Sequence, residues 1–206
     1  MSDTWLLLGS GPDAPDFLPV AMADYPGATT ITTNYGLRLL EKPDYYFILD
    51  RKAVDDLGDR ALELQKQGCM IVTTHNDVTR PYVERKIPHP DYHIVINGSK
   101  HYMKGFICRC RFSGVYMMQF VLLMGAKRLL FVGHNGYPPD QTPYWYEQHR
   151  EYSQTEYKER TLQVIGPYMR DAARANPDIE FVYYGKLNYE VYGENVRQIS
   201  ELPVAV

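Results

Sequence analysis

The chain has 206 residues, a net charge of −3, and 45% hydrophobic and 23% charged residues. This length suits one domain, and this balance excludes an intrinsically disordered chain. The longest apolar run, 115–124, contains Gln119 and is too short to span a bilayer, and the N-terminus lacks the basic and apolar regions of a signal peptide. We therefore expect a cytoplasmic protein without a membrane span, folded as a single domain over 1–206.

Strand-like and helix-like segments alternate along the chain. Threonine- and isoleucine-rich or short apolar runs predict strands, and apolar residues at helical spacing predict helices. Near the N-terminus, the helix over 13–25 follows the turn Gly9-Ser10-Gly11-Pro12. In chain order the predicted strands are 5–8, 28–33, 45–49, 70–73, 93–96, 129–132 and 179–184, and the predicted helices are 13–25, 54–67, 115–124 and 155–175.

Such alternation predicts an α/β fold with a single doubly wound, mostly parallel, Rossmann-like sheet. Two segments interrupt the pattern. One is a basic, irregular insert over 76–112, and the other is a tyrosine-rich lid loop over 134–152, which is long for a strand-to-helix connection. Ligands of such sheets bind beyond the carboxyl ends of the strands, so the loops that follow the strands are the candidate site.

The turn after the first strand is a candidate nucleotide contact. Gly9 and Gly11 allow a close backbone approach, and Ser10 adds a hydroxyl between them. The N–H groups of the helix that follows favour an anion. A structural turn remains the alternative, and the missing third glycine of G-x-G-x-x-G disfavours a dinucleotide.

Three further polar positions follow strands or begin a helix. Asn34 could hydrogen-bond a base or a sugar, or could simply be a turn residue. Asp50 could bind a ribose hydroxyl or Mg²⁺, or could cap the next helix. Ser113, with Gly114, could hold a phosphate or a sugar carboxylate at a helix N-terminus, or could be an N-cap. No second acid pairs with Asp50, and we predict no metal site.

The lid loop carries most of the candidate chemistry. Tyr137 and Tyr144 could donate hydrogen bonds to a leaving phosphate, and His149 could act as a general base near neutral pH. His134 is a weaker candidate for the same role. The cysteines Cys69, Cys108 and Cys110 lack zinc-site spacing and histidine partners, so we interpret them as reduced structural thiols.

Charge is unevenly distributed. The basic segment, residues 80–111, has a net charge of +5, so the rest of the chain has −8. Such a run is typical of a solvated face, but it could also face an anion. Tyr92, Tyr102 and Phe106 interleave with the basic residues and could stack on bases, as in a nucleic-acid binder.

Several short motifs occur together in order along most of the chain. They are LLLGSGP near the start, TTN after the second strand, SGVYM at a helix start and FVGHNGY after a later strand. Together they resemble the bacterial sialyltransferases that cap lipooligosaccharides. The segment KPDYYFILD also resembles the related MptE-like proteins, which include an archaeal pterin pyrophosphokinase.

This resemblance implies a metal-independent glycosyltransferase that uses a CMP- or UDP-sugar as substrate, without a tightly bound cofactor. It implies that Gly9, Ser10, Gly11 and Asn34 meet the nucleotide and that Ser113 and Gly114 hold the donor. In the strand-end motif that precedes Tyr137, Asn135 corresponds to an aspartate of the family, and the resemblance makes it a further nucleotide or donor contact. Tyr137 and Tyr144 would then stabilise the departing phosphate, with His149 as the base.

Two other functions remain open. One is an MptE-like pyrophosphokinase that uses ATP and Mg²⁺, with Asp50 at the metal. The other is a non-catalytic nucleotide or nucleic-acid binder that uses the basic segment. The sequence does not identify the acceptor, although a basic cleft suits an anionic one, and tyrosine-rich loops are consistent with a homo-oligomer.

Overall fold

The computed structural model of the chain describes residues 2–74, 80–110, 112–136 and 154–203, with side chains from residue 83 in the second range and from residue 164 in the last. Among these residues, no helix has both the length and the apolarity needed to cross a bilayer.

The described strands form one sheet in which every neighbouring pair is parallel. The strand order is β5-β4-β3-β2-β1-β6-β7-β8, so the chain moves outward from β1 to β5 and then returns to the other side of β1. The strands are β1 (Thr4–Leu8), β2 (Thr29–Thr33), β3 (Tyr45–Phe47), β4 (Met70–Thr74), β5 (Tyr92–Ile94), β6 (Arg128–Val132), β7 (Glu180–Tyr184) and β8 (Val196–Ile199).

Helices cover both faces of the sheet, as parallel crossovers require. They are α1 (Ala14–Asp24), α2 (Arg51–Lys66), α3 (Arg80–Lys86), α4 (Ser113–Leu123) and α5 (Gln154–Ala175), with a 3-10 helix at Asn34–Arg38. On one face α1, α2 and α3 pack on the sheet, and on the other face α4 and α5 do so.

The core follows the alternation of side chains along the strands. In β1, Trp5 and Leu7 face α4, whereas Leu6 and Leu8 face α1. Helix α4 is apolar nearly all round because the sheet covers one side of it and the residues around Cys108 and α5 pack on the others. Because all neighbouring strands are parallel, their carboxyl ends lie at the same edge of the sheet. The loops that follow them are therefore held in place by the packed core.

The structure confirms the α/β fold and the parallel, doubly wound sheet. Each predicted strand and helix is present within a few residues of its expected bounds. The sheet also has an eighth strand, β8, which was not predicted. Within 76–112 the structure contains α3 and β5, and residues 97–110 follow an irregular path with one bridge between Asn97 and Cys108.

The three cysteines are free and buried, in agreement with the interpretation of structural thiols. Burial raises the pKa of Cys69 and of Cys110 to about 12. Thiols with such a pKa are protonated at neutral pH and are poor nucleophiles.

Candidate functional site

The candidate site lies where the strand order reverses, between β1 and β6. The loop after β1 and the loop after β6 are bonded together at this point. Gly9 N donates to Val132 O at 2.8 Å, and Gly11 N donates to Gly133 O at 2.8 Å. Crevices at such a switch point are the usual ligand sites of open parallel sheets.

Glycine is required on both loops because their backbones nearly touch. A Cβ atom placed on Gly9 would lie 2.5 Å from Gly133 O, and one on Gly133 would lie 3.0 Å from Gly9 O. Gly133 also has a φ of 69°, in the left-handed region that favours glycine. The contact with the β6 loop therefore fixes the Gly9-Ser10-Gly11 turn. This contact explains the glycines at positions 9 and 133 without a ligand.

Asn34 connects the end of β2 to the start of α4. Its Nδ2 donates to Ser113 Oγ at 3.1 Å, and its backbone has a φ of 47°. Tyr46 OH donates to Asn34 O at 3.0 Å and holds this backbone in place. Two residues that are 79 positions apart in the sequence, and that were predicted independently as ligand contacts, thus lie side by side.

Ser113 occupies the first turn of α4 and is not its N-cap. Phe112 is the N-cap, and its carbonyl oxygen accepts from Val115 N and from Tyr116 N, each at 3.1 Å. The N–H groups of Ser113 and Gly114 precede those bonds, so they belong to the positive end of the helix. Because Ser113 Oγ accepts from Asn34, its own proton can be donated to an oxygen of a ligand.

His134 brings the β6 loop into contact with the start of α4. Its imidazole lies between two glycines, so that a Cβ on Gly9 would be 3.1 Å from Cδ2 and one on Gly114 would be 2.7 Å from Cε1. Phe131 meets the ring edge-on, with centroids 5.2 Å apart. Burial lowers the pKa of His134 to about 4, although a backbone hydrogen bond with Leu7 acts in the opposite direction. His134 is therefore neutral at pH 7, which makes it a spacer between loops rather than a cation facing an anion.

We expect the stability of the protein to fall as the pH is lowered through the ordinary pKa of histidine. An unfolded chain binds a proton at His134 near pH 6.5, whereas the folded chain resists it until about pH 4. Protonation therefore favours unfolding across that window. Between about pH 7.5 and about pH 5, this residue alone should remove about 2 kcal/mol from the free energy of unfolding, measured by urea titration.

The matched control for this pH dependence is His134→Gln, which cannot titrate. The difference between the two proteins isolates His134 from other groups, including Asp13, whose pKa is raised by burial and which acts in the opposite direction at lower pH. An equal loss of stability in both proteins would show that His134 is not kept neutral in the fold.

Asn135 lies below the crevice and is almost fully buried. Its Nδ2 donates to Asp13 Oδ2 and, at 2.7 Å, to Lys186 O, and Lys186 N donates to the same Asp13 oxygen at 3.1 Å. The Asn135 side chain therefore ties the loops after β1, β6 and β7 together. Its Oδ1 would be 2.1 Å from a Cβ on Gly11, which leaves this glycine no room for a side chain.

Several buried polar atoms around the crevice lack a hydrogen-bond partner among the residues that the structure describes. Such atoms are uncommon in folded proteins and each needs an explanation. They are Asp13 Oδ1, Thr33 Oγ1, His134 Nε2 and Asn135 Oδ1.

Asp50 acts as the N-cap of α2. Its Oδ1 accepts from Lys52 N at 2.9 Å, and its side chain is exposed. Within the described ranges, no three His, Cys, Asp or Glu side chains are grouped as a metal site would need. The predicted contact of Asp50 with a ribose or with Mg²⁺ remains a prediction, and the capping role is the one that the geometry displays.

The structure brings most of the predicted site residues to one edge of the sheet. Gly9, Ser10 and Gly11 follow β1, whereas Asn34, Ser113 and Gly114 surround the start of α4. Tyr137, Tyr144 and His149 lie outside the described residues, and the loop 134–152 is described only as far as Gly136. The sequence marks His134 only as a weak candidate base, whereas the glycines at positions 9 and 114 are the signal for its close packing.

Two solved glycosyltransferase structures are similar to this chain. One is the monofunctional α-2,3-sialyltransferase Cst-I from Campylobacter jejuni, with a TM-score of 0.52 and 13% identity over 88% of this chain and 75% of that one. The other is the MAF glycosyltransferase from Magnetospirillum magneticum AMB-1, with a TM-score of 0.56 and 14% identity over 96% of this chain and 33% of that one.

The chain has a sialyltransferase-type fold. No protein-family model and no curated protein sequence matches it. At 13–14% identity the likeness concerns the backbone, so the sialyltransferase-type fold locates the crevice but does not assign its ligand. The chain corresponds to only a third of the MAF protein, whose remaining two thirds have no counterpart in it.

Proposed function

We propose that the chain is a transferase that takes a glycosyl group from a nucleotide-activated sugar without a metal ion. The observation that carries the proposal is the hydrogen bond from Asn34 Nδ2 to Ser113 Oγ, 3.1 Å long, at the switch point of the sheet. It places a hydroxyl, an amide and the positive end of α4 together in one crevice. Helix N-termini favour phosphates and carboxylates, which are the charged groups of such donors.

The proposed reaction is direct displacement. The acceptor oxygen forms a bond to the anomeric carbon while the bond from that carbon to the phosphate oxygen breaks. His149 takes the acceptor proton, and Tyr137 and Tyr144 donate hydrogen bonds to the departing phosphate. Donors aimed at developing charge act more strongly in the transition state than in the ground state. Because His134 is neutral, the negative charge on the departing phosphate is stabilised by the N-terminus of α4 and by these tyrosines.

We expect Ser113→Ala to weaken binding of a CMP- or UDP-sugar by about tenfold to a hundredfold, because a hydrogen bond to a charged oxygen is lost. The side chain is only partly buried, so the fold should tolerate the change. Calorimetric titration of the wild-type protein and the variant with CMP, UDP, GDP and ATP, each with and without Mg²⁺, measures the effect and identifies the nucleotide.

The matched control is Ser2→Ala. Ser2 precedes β1 at the amino end of the sheet, and its Oγ accepts from Thr4 N at 3.2 Å, far from the crevice. This variant should bind the nucleotide as the wild-type protein does. Unchanged affinity in Ser113→Ala would contradict the proposed donor site. Binding of ATP alone, and only with Mg²⁺, would instead support the pyrophosphokinase.

A further inference from the structure

The connection between β5 and α4 exposes apolar side chains. Val95 is 74% exposed, Phe106 50% and Met103 42%. These residues lie within twelve positions of one another in the sequence, around and after the end of the edge strand β5. Clustered exposure of this kind marks surfaces that meet another molecule or a membrane.

A tight turn brings two of these side chains together. Phe106 N donates to Met103 O at 3.2 Å, and Gly105 between them has a φ of 85°. Met103 and Phe106 therefore flank Lys104 at the tip of the connection (residues 103–106).

The backbone behind the tip is bonded to the core of the domain. Asn97 N donates to Ile107 O at 2.7 Å, and Cys108 N donates to the buried Gln119 Oε1 at 2.8 Å. Asn176, which follows the last residue of α5, donates from Nδ2 to Tyr102 OH at 2.8 Å. The apolar side chains of the tip are thus presented outward by an anchored scaffold.

The segment that carries the tip is cationic. Residues 92–110 contain no aspartate or glutamate, and their three cationic side chains, Lys100, Lys104 and Arg109, are all exposed. Each Lys or Arg near an anionic bilayer contributes about 1 kcal/mol to attraction, and an apolar side chain that enters the interface adds to this. Exposed cationic side chains on the same segment as exposed apolar ones match an anionic lipid surface.

The aromatic side chains do not match a nucleic acid. Of the three that were expected to stack on bases, Tyr92 packs against Phe120 with ring centroids 5.4 Å apart. Tyr102 is partly buried and bonded to Asn176. Only Phe106 is exposed, beside the aliphatic Met103 rather than beside other rings.

We propose that the tip docks on an anionic phospholipid bilayer. Met103 and Phe106 enter the interfacial region, and Lys100, Lys104 and Arg109 meet the lipid phosphates. The site is separate from the crevice between β1 and β6, so the docking does not depend on the proposed function. Vesicle binding measured without any nucleotide can fail while donor binding succeeds, and the reverse also holds.

The test is flotation of the full chain with vesicles of phosphatidylcholine alone or of phosphatidylcholine mixed with phosphatidylglycerol. We expect binding only to the anionic vesicles. The double variant Met103→Ala, Phe106→Ala should bind about tenfold less, because two apolar side chains no longer enter the interface. Lys100→Glu with Lys104→Glu should abolish binding.

Met22→Ala is the matched control, since Met22 is similarly exposed at 43% but lies on α1. It should bind anionic vesicles as the wild-type protein does. Equal vesicle binding by the wild-type protein and both double variants would overturn the proposal. If the wild-type protein did not bind anionic vesicles, the proposal would also be overturned. A change in single-stranded RNA binding by the tip variants would then indicate a nucleic-acid surface, and a change in the sedimentation of a dimer would indicate a contact between copies.

Discussion

Gly9→Ala is expected to destabilise the protein by about 2–4 kcal/mol and to abolish donor binding. The added Cβ would lie 2.5 Å from Gly133 O and 3.1 Å from Gly133 C. Both are backbone atoms, so no rotamer change can relieve the contact, and the β1 and β6 loops must separate. Separation would break the bond from Gly9 N to Val132 O and move His134 with the β6 loop. Urea unfolding and calorimetric titration with the donor measure the two losses.

Gly27→Ala provides the matched control. Gly27 lies between α1 and β2, has no atom within 4 Å of an added Cβ, and does not have a left-handed backbone. Both substitutions reduce the freedom of the unfolded chain in the same way, which is worth up to about 1 kcal/mol of added stability. The control should therefore be as stable as the wild-type protein or slightly more so. Similar stabilities for the two variants would mean that the loops are not closely packed.

The sequence predicted the fold well because most elements carry their own signal. Helix α4 is apolar nearly all round, and the strands at the centre of the sheet are short apolar runs. Weakly marked elements were missed. Strand β8, Val196–Ile199, lies at the sheet edge and alternates too little to be recognised, with Arg197 and Gln198 both exposed. Helix α3 has only seven residues, too few for a helical period to stand out.

The candidate site was predicted less completely because its contacts join distant parts of the chain. Asn34 and Ser113 could be recognised separately as polar residues at the ends of elements, but their hydrogen bond depends on β2 and α4 meeting in three dimensions. Asn135 shows the opposite case. Its position after β6 suggested a ligand contact, yet its amide binds Asp13 and Lys186, and neither partner is near it in sequence.

His134 illustrates a third difficulty, since an isolated histidine carries little information about its surroundings. The sequence suggested a weak general-base candidate. The structure places the ring among Gly9, Gly114 and Phe131, where burial lowers its pKa to about 4. A base with that pKa is too weak to be matched to chemistry at neutral pH. The His134 ring packs closely against Gly9 and Gly114, which belong to separate elements. We therefore interpret His134 as a spacer between the β1 loop and α4, and its size sets their separation.

Gly114→Ala is expected to weaken donor binding by tenfold or more and to be rescued in part by His134→Ala. The added Cβ would lie 2.7 Å from His134 Cε1 and 3.0 Å from Nδ1, so the start of α4 must shift away from the β6 loop. Alanine is a better helix former than glycine by about 1 kcal/mol, so the helix itself gains from the change. A loss that comes from the contact with His134 is relieved by His134→Ala, whereas a clash of the new methyl group with the donor itself is not.

A double-mutant cycle tests this contact directly. In Gly114→Ala, His134→Ala the methyl group occupies space that the imidazole has left, so the two losses should be less than additive by about 1–2 kcal/mol. Gly98→Ala supplies the control for the cycle, because an added Cβ there has no atom within 4 Å. Its effect should add to that of His134→Ala without coupling. Additive losses in both cycles would show that His134 does not set the position of α4, and the donor site would then have to be stabilised by the Asn34–Ser113 bond alone.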